Sequence, residues 1–306
     1  MLRGDPLVGA IINRPKKAAD SRPYGSRLIT PYTKDTIMNK IIVIKYGGNA
    51  MVNAELKNSV MEDVVALQQL GWQPVLSHGG GPGINKMLEQ LEIPVKFVNG
   101  LRYTDEATMQ VVESVLIGQV GTELTGLLQK KGGKACAISG VSGNLYHCHQ
   151  KDEALGLVGE IDEIDTIAVD ALLEGGLIPV VAPVGTDGQG RTFNINGDTA
   201  GSILAAALEA SKLVLLTDIE GLCNSIEERD VISYLNIKDV QGLKDKGVIS
   251  GGMIPKIDGC VQAIENGVGS VHIIDGRRPH SLLELIRDGA DIGTTIGTEK
   301  ESVGIK

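Results

Sequence analysis

The chain has 306 residues, enough for one large domain or two joined lobes, and its 42% hydrophobic and 22% charged residues are the proportions of a soluble globular protein. Aromatic residues reach only 3% and the formal net charge is −9, which excludes a dedicated nucleic-acid binder, since such a surface needs stacking platforms and an extended basic face. Local lysines gripping a small anion remain compatible with that balance. No uninterrupted apolar run approaches the roughly 18 residues of a membrane helix and no signal-peptide core is visible, so a cytoplasmic protein without membrane contact is expected. Cys136, Cys148, Cys223 and Cys260 lack CxxC spacing, which argues against a disulfide framework or a zinc ribbon.

Residues 1–39 carry Pro6, Pro15, Pro23 and Pro31 and no sustained period, so a peripheral or disordered extension is expected there. A targeting segment, or a start codon placed too far upstream of Met38, are the alternatives. From residue 40 onward, short β-branched runs alternate with helical stripes, the pattern of a mainly parallel sheet covered on both faces. Residues 41–45 read as a strand, 54–70 as a helix with Leu56, Val60, Val64 and Leu67 on one side, and 74–77 as the next strand. A long helix is predicted over 105–131, strands over 134–139 and 178–182, a helix over 166–174, and a hairpin around 185–190. Alternation over 145–150 sends Cys148 to the face opposite His147 and His149, which argues against a metal site, and no protein metal ligand is expected. Beyond residue 192, helices are predicted over 198–210, 252–265 and 281–287, with strands at 212–217, 270–274 and 294–296. The expected fold class is therefore α/β, with two lobes sharing one sheet.

Three glycine-rich clusters stand where strands hand over to loops or helices: Lys45-Tyr-Gly-Gly48, His78-Gly-Gly-Gly81 and Gly251-Gly-Met-Ile-Pro-Lys256. Glycine lets backbone N–H groups approach an anion, a helix N-terminus adds its positive dipole end, and lysine supplies full charge. Together they point to a polyphosphate. The common nucleotide fingerprints nevertheless fail. In Gly79-Gly-Gly-Pro-Gly83 the third glycine of G-x-G-x-x-G would fall on Ile84, and Gly133-Lys134 is followed by Ala135 where a P-loop needs Ser or Thr. A carboxylate at Asp198, at a predicted helix start, reads most simply as an N-cap, although a second role can coexist with capping.

These clusters, with Gly100-Leu-Arg102, Asn194-Ile-Asn-Gly-Asp198 and Leu216-Thr-Asp218, resemble the amino acid kinase family over residues 40–297, and in particular its members that phosphorylate N-acetyl-L-glutamate for arginine synthesis. The resemblance implies a three-layer αβα sandwich, with residues 40–191 binding the amino-acid substrate and 192–306 binding ATP. It implies that Lys45 and Lys256 stabilise the transferring phosphoryl group, that Asp198 organises the two lysines, and that Gly48 and Gly81 give backbone donors. Gly47 and Gly80 would permit close approach, Arg102 would take the substrate α-carboxylate, and Asn194 would orient the substrate. Thr217, Asp218 and Gly221 match the ATP-binding loop, with Gly251 and Gly252 over the phosphates and Mg2+ carried by the nucleotide. Some relatives are arginine-inhibited hexamers with an interlacing N-terminal helix. Pro23, Gly25 and Pro31 oppose such a helix, and Arg287-Asp-Gly-Ala-Asp291 replaces a phenylalanine-containing segment, so an arginine-insensitive homodimer is expected. A sibling kinase for N-acetyl-aminoadipate or aspartate, or a nucleotide-binding protein without turnover, are the competing readings.

Overall fold

The structure, a computed structural model, describes residues 11–12, 40–224 and 230–298. The expected N-terminal extension lies outside the described residues, apart from Ile11–Ile12, whose backbone pairs in parallel with Gly159–Ile164.

Eight strands form the central sheet, in the order Tyr234–Asn236, Thr294–Gly297, Ser270–Asp275, Lys212–Thr217, Ile41–Tyr46, Gln73–His78, Ile178–Ala182 and Ala135–Ser139. Six of them run parallel to one another, and the pair at the C-terminal edge runs the opposite way, joined through an antiparallel contact between Ser270–Asp275 and Thr294–Gly297. The central strands are continuous β-branched and leucine runs because both of their faces are covered. Ile41 and Val43 enter one core while Ile42 and Ile44 enter the other, as the two-residue period of a strand requires. One layer holds the helices Gly197–Ala207 and Met253–Glu265 together with a second, five-stranded sheet; the other holds Ala54–Gln69, Gly81–Gln90 and the helical stretch after Asp105. This is the three-layer sandwich that the alternating pattern implies.

Local chemistry sets the helix starts. Asn53 caps Ala54–Gln69 by accepting from Glu55 N and Leu56 N at 2.9 and 3.0 Å, and Asp105 caps Glu106–Glu113 by accepting from Thr108 N at 2.8 Å. The second sheet is the main element that patterning understates. Tyr146–Gln150 and Val184–Thr186 belong to it, and Cys148 is buried while His149 is exposed, as the alternation requires. Its strand Gly159–Ile164 carries Glu160, Asp162 and Glu163 among its apolar residues, which hides its strand character.

The stretch Glu106–Lys130, 25 residues, is long and apolar enough by length and composition to cross a membrane, although Glu113 and Glu123 interrupt its apolar run. It lies against Ala135–Ser139 and Ile178–Ala182 and buries Val112, Leu116, Leu124 and Leu128 in the core, so here it covers the sheet.

Two histidines are enclosed in this framework. Burial holds the His78 imidazole down to about 4 against the smaller opposing effect of the Gly79 carbonyl, and burial followed by the Lys212 charge holds His272 down to about 3. His272 is gripped between Ser270 Oγ at 2.9 Å and Thr295 Oγ1 at 3.1 Å. Both rings are neutral in the folded state at pH values where an unfolded histidine, near 6.5, takes up a proton. Stability therefore falls as pH drops from about 6.5 toward 4, with each histidine contributing about 1.4 kcal/mol per pH unit. Urea unfolding between pH 7 and 4.5 is expected to show a shallower pH dependence in His272→Asn than in the parent chain; equal slopes would refute this assignment.

Candidate active site

The C-terminal ends of the parallel strands open onto a cavity of about 350 Å³. Its floor is the end of Ile41–Tyr46, the central strand, where Lys45 is registered opposite Leu215 on one side and Ser77 on the other. Two glycine turns form its rim. Gly47 and Gly48 follow the first strand, and Gly79, Gly80 and Gly81 follow Gln73–His78 and lead into the helix Gly81–Gln90. Gly48 sits at φ +71°, a conformation that disfavours L side chains, and a Cβ on Gly47 would come within 2.7 Å of Lys45 Nζ. The backbone is thus bare where an anion would approach, and a helix N-terminus faces the same space.

His78 fixes the second turn from beneath. Its Nδ1 lies 2.9 Å from the Gly79 carbonyl oxygen, an acceptor only, so in the neutral ring that nitrogen carries the proton. Gly79 N in turn donates to Tyr46 O at 2.8 Å, tying the two glycine turns together.

Charge is concentrated at Asp198. Lys45 Nζ lies 2.8 Å from one carboxylate oxygen and Lys256 Nζ lies 2.6 Å from the other. Burial on its own pushes this carboxyl up, but the Lys45 and Lys256 charges and their hydrogen bonds prevail and hold it at about 2. The cap of Gly197–Ala207 is a different residue: Asn196 Oδ1 accepts from Asp198 N and Thr199 N at 3.0 and 3.1 Å. The expectation that Asp198 caps this helix is corrected, because the helix begins one residue earlier and leaves the Asp198 carboxylate to the lysines. Gly201, one turn on, allows this approach, since a Cβ there would sit 3.3 Å from Lys45 Cβ and Cγ.

Arg102 adds a cationic and nearly buried part of the cavity lining. Phe97–Val98 and Leu101–Arg102 form a hairpin around Asn99 and Gly100, both at positive φ, the geometry of a tight two-residue turn. Arg102, 8% exposed, donates from Nη2 to Asn85 Oδ1 at 2.6 Å, and its guanidinium stands 4.9 Å from the Phe97 ring centre. Its Nη1 is buried with no hydrogen-bond partner among the described residues. Asn194 lines the same space and donates to Thr104 Oγ1 at 3.1 Å, which itself donates to the Arg102 carbonyl at 2.9 Å.

The structure therefore gathers Lys45, Gly47, Gly48, Gly80, Gly81, Arg102, Asn194 and Asp198 around one cavity, and Lys256 reaches it through Asp198. Asp218 abuts the first glycine turn, since a Cβ on Gly48 would fall 2.8 Å from its Oδ2. Thr217 ends the neighbouring strand. Gly221, Gly251 and Gly252 do not line this cavity. At Gly221 both backbone and packing call for glycine, since its φ is +154° and a Cβ would strike Val231 and Thr294 at 2.7 and 2.8 Å. Gly251 and Gly252 face open space ahead of Met253–Glu265. Asn85, Asn196 and Leu116 are site residues that motif reading misses; only Asn196, two residues ahead of Asp198, bore a recognisable capping signal.

Two lysines clasping one carboxylate beside paired glycine turns, at the strand ends of an α/β sheet, form an arrangement suited to holding phosphoryl groups. The chain belongs to the amino acid kinase family, whose profile matches residues 40–275. It is 48% identical over 264 residues to the acetylglutamate kinase of Clostridioides difficile strain 630, covering 86% of this chain and 92% of that protein. Among solved structures it resembles the smu.665 protein of Streptococcus mutans UA159, with a TM-score of 0.71 and 32% identity over 86% of this chain and all of the other. It also resembles the N-acetylglutamate synthase of Neisseria gonorrhoeae, with a TM-score of 0.75 and 25% identity over 86% of this chain and 60% of that one.

Steric demand at the glycines is directly testable. A Cβ on Gly80 would lie 2.5 Å from Leu116 Cδ2, whereas one on Gly126, on an exposed helical turn, meets nothing within 4 Å. Gly80→Ala is expected to lower both melting temperature and activity, while Gly126→Ala raises stability by about 0.5–1 kcal/mol. Thermal unfolding of the two variants checks this, and a fully stable, fully active Gly80→Ala would refute it.

Proposed function

We propose that the protein transfers the γ-phosphoryl group of ATP to the side-chain carboxylate of N-acetyl-L-glutamate, a step of arginine biosynthesis in the cytoplasm. The observation that carries this is the Lys45–Asp198–Lys256 bridge, with the named function of the 48% identical relative beside it. An acceptor carboxylate is already ionised at neutral pH, so no general base is needed. The obstacle is repulsion between two anions, which the site answers with positive charge on two sides of the reacting group.

In this reading a carboxylate oxygen of the acceptor attacks the γ-phosphorus, the bond from phosphorus to the β,γ-bridging oxygen breaks, and ADP leaves with that electron pair; no proton moves. Lys45 and Lys256 meet the charge on the equatorial oxygens, and Asp198 holds their amines at a fixed separation. Backbone donors at Gly48 and Gly81 complete the contact, and Gly47 and Gly80 keep the approach clear. Arg102 receives the α-carboxylate through its partnerless Nη1, a planar donor already aimed and desolvated, while Asn194 orients the acyl-amino end. Residues 40–191 supply the acid site and 192–306 the nucleotide site, where Thr217, Asp218, Gly221, Gly251 and Gly252 contact ATP. Mg2+ arrives on the nucleotide and neutralises phosphate charge. Among the described residues no cluster of three His, Cys, Asp or Glu side chains offers it a cage, and Asp198 is occupied by two ammonium groups.

With ATP, magnesium and N-acetyl-L-glutamate, hydroxylamine trapping is expected to yield the hydroxamate of the acyl phosphate. Absence of product from every acid tried would leave only a binding role. Lys45→Met and Lys256→Met should each lower kcat roughly 10²- to 10³-fold. Arg102→Lys should raise KM for the acid and leave KM for ATP unchanged.

We further infer an arginine-insensitive homodimer, from Pro23, Gly25 and Pro31 in the N-terminal segment and from the Arg287–Asp291 sequence. Titration with arginine up to millimolar concentration is expected to leave the rate unchanged; half-inhibition below a millimolar would overturn the inference.

A further inference from the structure

The helical stretch over the second glycine turn is not α-helical throughout. Between Glu106–Glu113 and Thr122–Lys130, residues Ser114–Gly121 form a π segment, a widened turn that redirects the side chains it carries. The sequence holds its signature. Val112, Leu116, Val120, Leu124 and Leu128 recur every four residues, and all are buried. In a regular helix of about 3.6 residues per turn such a row would drift around the axis. Wider turns within the row cancel the drift and keep all five on the side that faces the core.

The segment is wedged into the glycine turn. Leu116 Cδ2 lies 2.5 Å and Val120 Cγ2 3.4 Å from where a Cβ of Gly80 would stand, and Val115 Cγ1 lies 3.1 Å from that position at Gly83. Leu116, 2% exposed, forms part of the cavity wall. That wall is apolar, with Ile84, Val158, Pro183 and Ile195 also facing the space. The rest of the lining is polar and fixed: Arg102, held by Asn85 and Phe97, and the glycine turns with Lys45. An acceptor with one carboxylate at each must span the space between them with its methylene carbons against the wall. A longer chain can fit between fixed ends only by buckling sideways against the wall, of which Leu116, packed on Gly80, is a part.

We propose that Leu116, set in place by the π segment, selects the carbon-chain length of the acceptor and rejects the homologous acid one methylene longer. The proposal rests on the reading that an N-acyl amino acid with a side-chain carboxylate is the acceptor. The test compares kcat/KM for N-acetyl-L-aspartate, N-acetyl-L-glutamate and N-acetyl-L-2-aminoadipate in the parent enzyme and in Leu116→Val, Leu116→Ala and Leu116→Met. A methylene is worth roughly 10- to 200-fold in such a pocket, so the parent is expected to prefer glutamate over aminoadipate by a factor in that range. Valine and alanine are expected to shrink this preference in order of size lost, by roughly tenfold for alanine, with KM for ATP unchanged; methionine, similar in volume, retains it. Should alanine fail to fold, the valine and methionine variants still decide the question. An unchanged glutamate-to-aminoadipate ratio in soluble valine and alanine variants, both acids losing rate equally, overturns the role of Leu116 and leaves the acceptor reading intact. Turnover of none of the acids by the parent overturns both.

Discussion

A single carboxylate placed between two ammonium groups is the constraint on which the rest of the molecule depends. Asp198 is partly buried, and burial by itself favours its neutral form; the charges of Lys45 and Lys256 reverse that outcome. Removing Asp198 would leave two ammonium groups facing each other without their shared counter-charge, which costs far more than the bridge itself contributes. The surrounding backbone is shaped to let the three meet. Gly201 brings the helix Gly197–Ala207 down onto Lys45, Asn196 satisfies the first amides of that helix so that Asp198 need not, and Gly47 leaves room for the Lys45 amine.

The Arg102 part of the cavity is likewise built around one enclosed charge. Arg102 is held by Asn85 on Nη2 and by the face of Phe97, and its Nη1 is a donor already stripped of solvent. An arginine in that state is ready for a planar anion and poorly served by anything else. Part of the wall is hydrocarbon. The cavity thus combines polar groups at Arg102 and the glycine turns with an apolar stretch of Ile84, Leu116 and Ile195.

Much of this was legible in the amino-acid order, where local composition decides structure. The strands Ile178–Ala182 and Lys212–Thr217 have the bounds that their apolar runs imply, because buried parallel strands leave an unbroken record. Lys45, Asp198 and Lys256 were recognisable as candidates, but their adjacency was not readable from spacing. It arises from strand order, which sets Ile41–Tyr46 beside Lys212–Thr217 and brings a helix from each later segment over the same strand end. Gly159–Ile164 stayed hidden because acidic side chains occupy its less buried positions, and Gly81–Gln90 because its first turn, Gly-Pro-Gly, has the composition of a loop. The π segment had a signal in its four-residue repeat, yet the same residues also satisfy a loose helical stripe. Asp198 was assigned the cap that Asn196 provides, since either residue type fits and only the exact helix start separates them.

Lys45 stands on the middle strand of the sheet, flanked by chain from both before and after the midpoint of the polypeptide. Unlike an enzyme whose reactive groups sit on one hairpin or one loop, this one has no self-sufficient fragment: a half-assembled sheet separates the groups that must cooperate. Catalytic competence consequently requires the strands on both sides of Lys45 to be in place together.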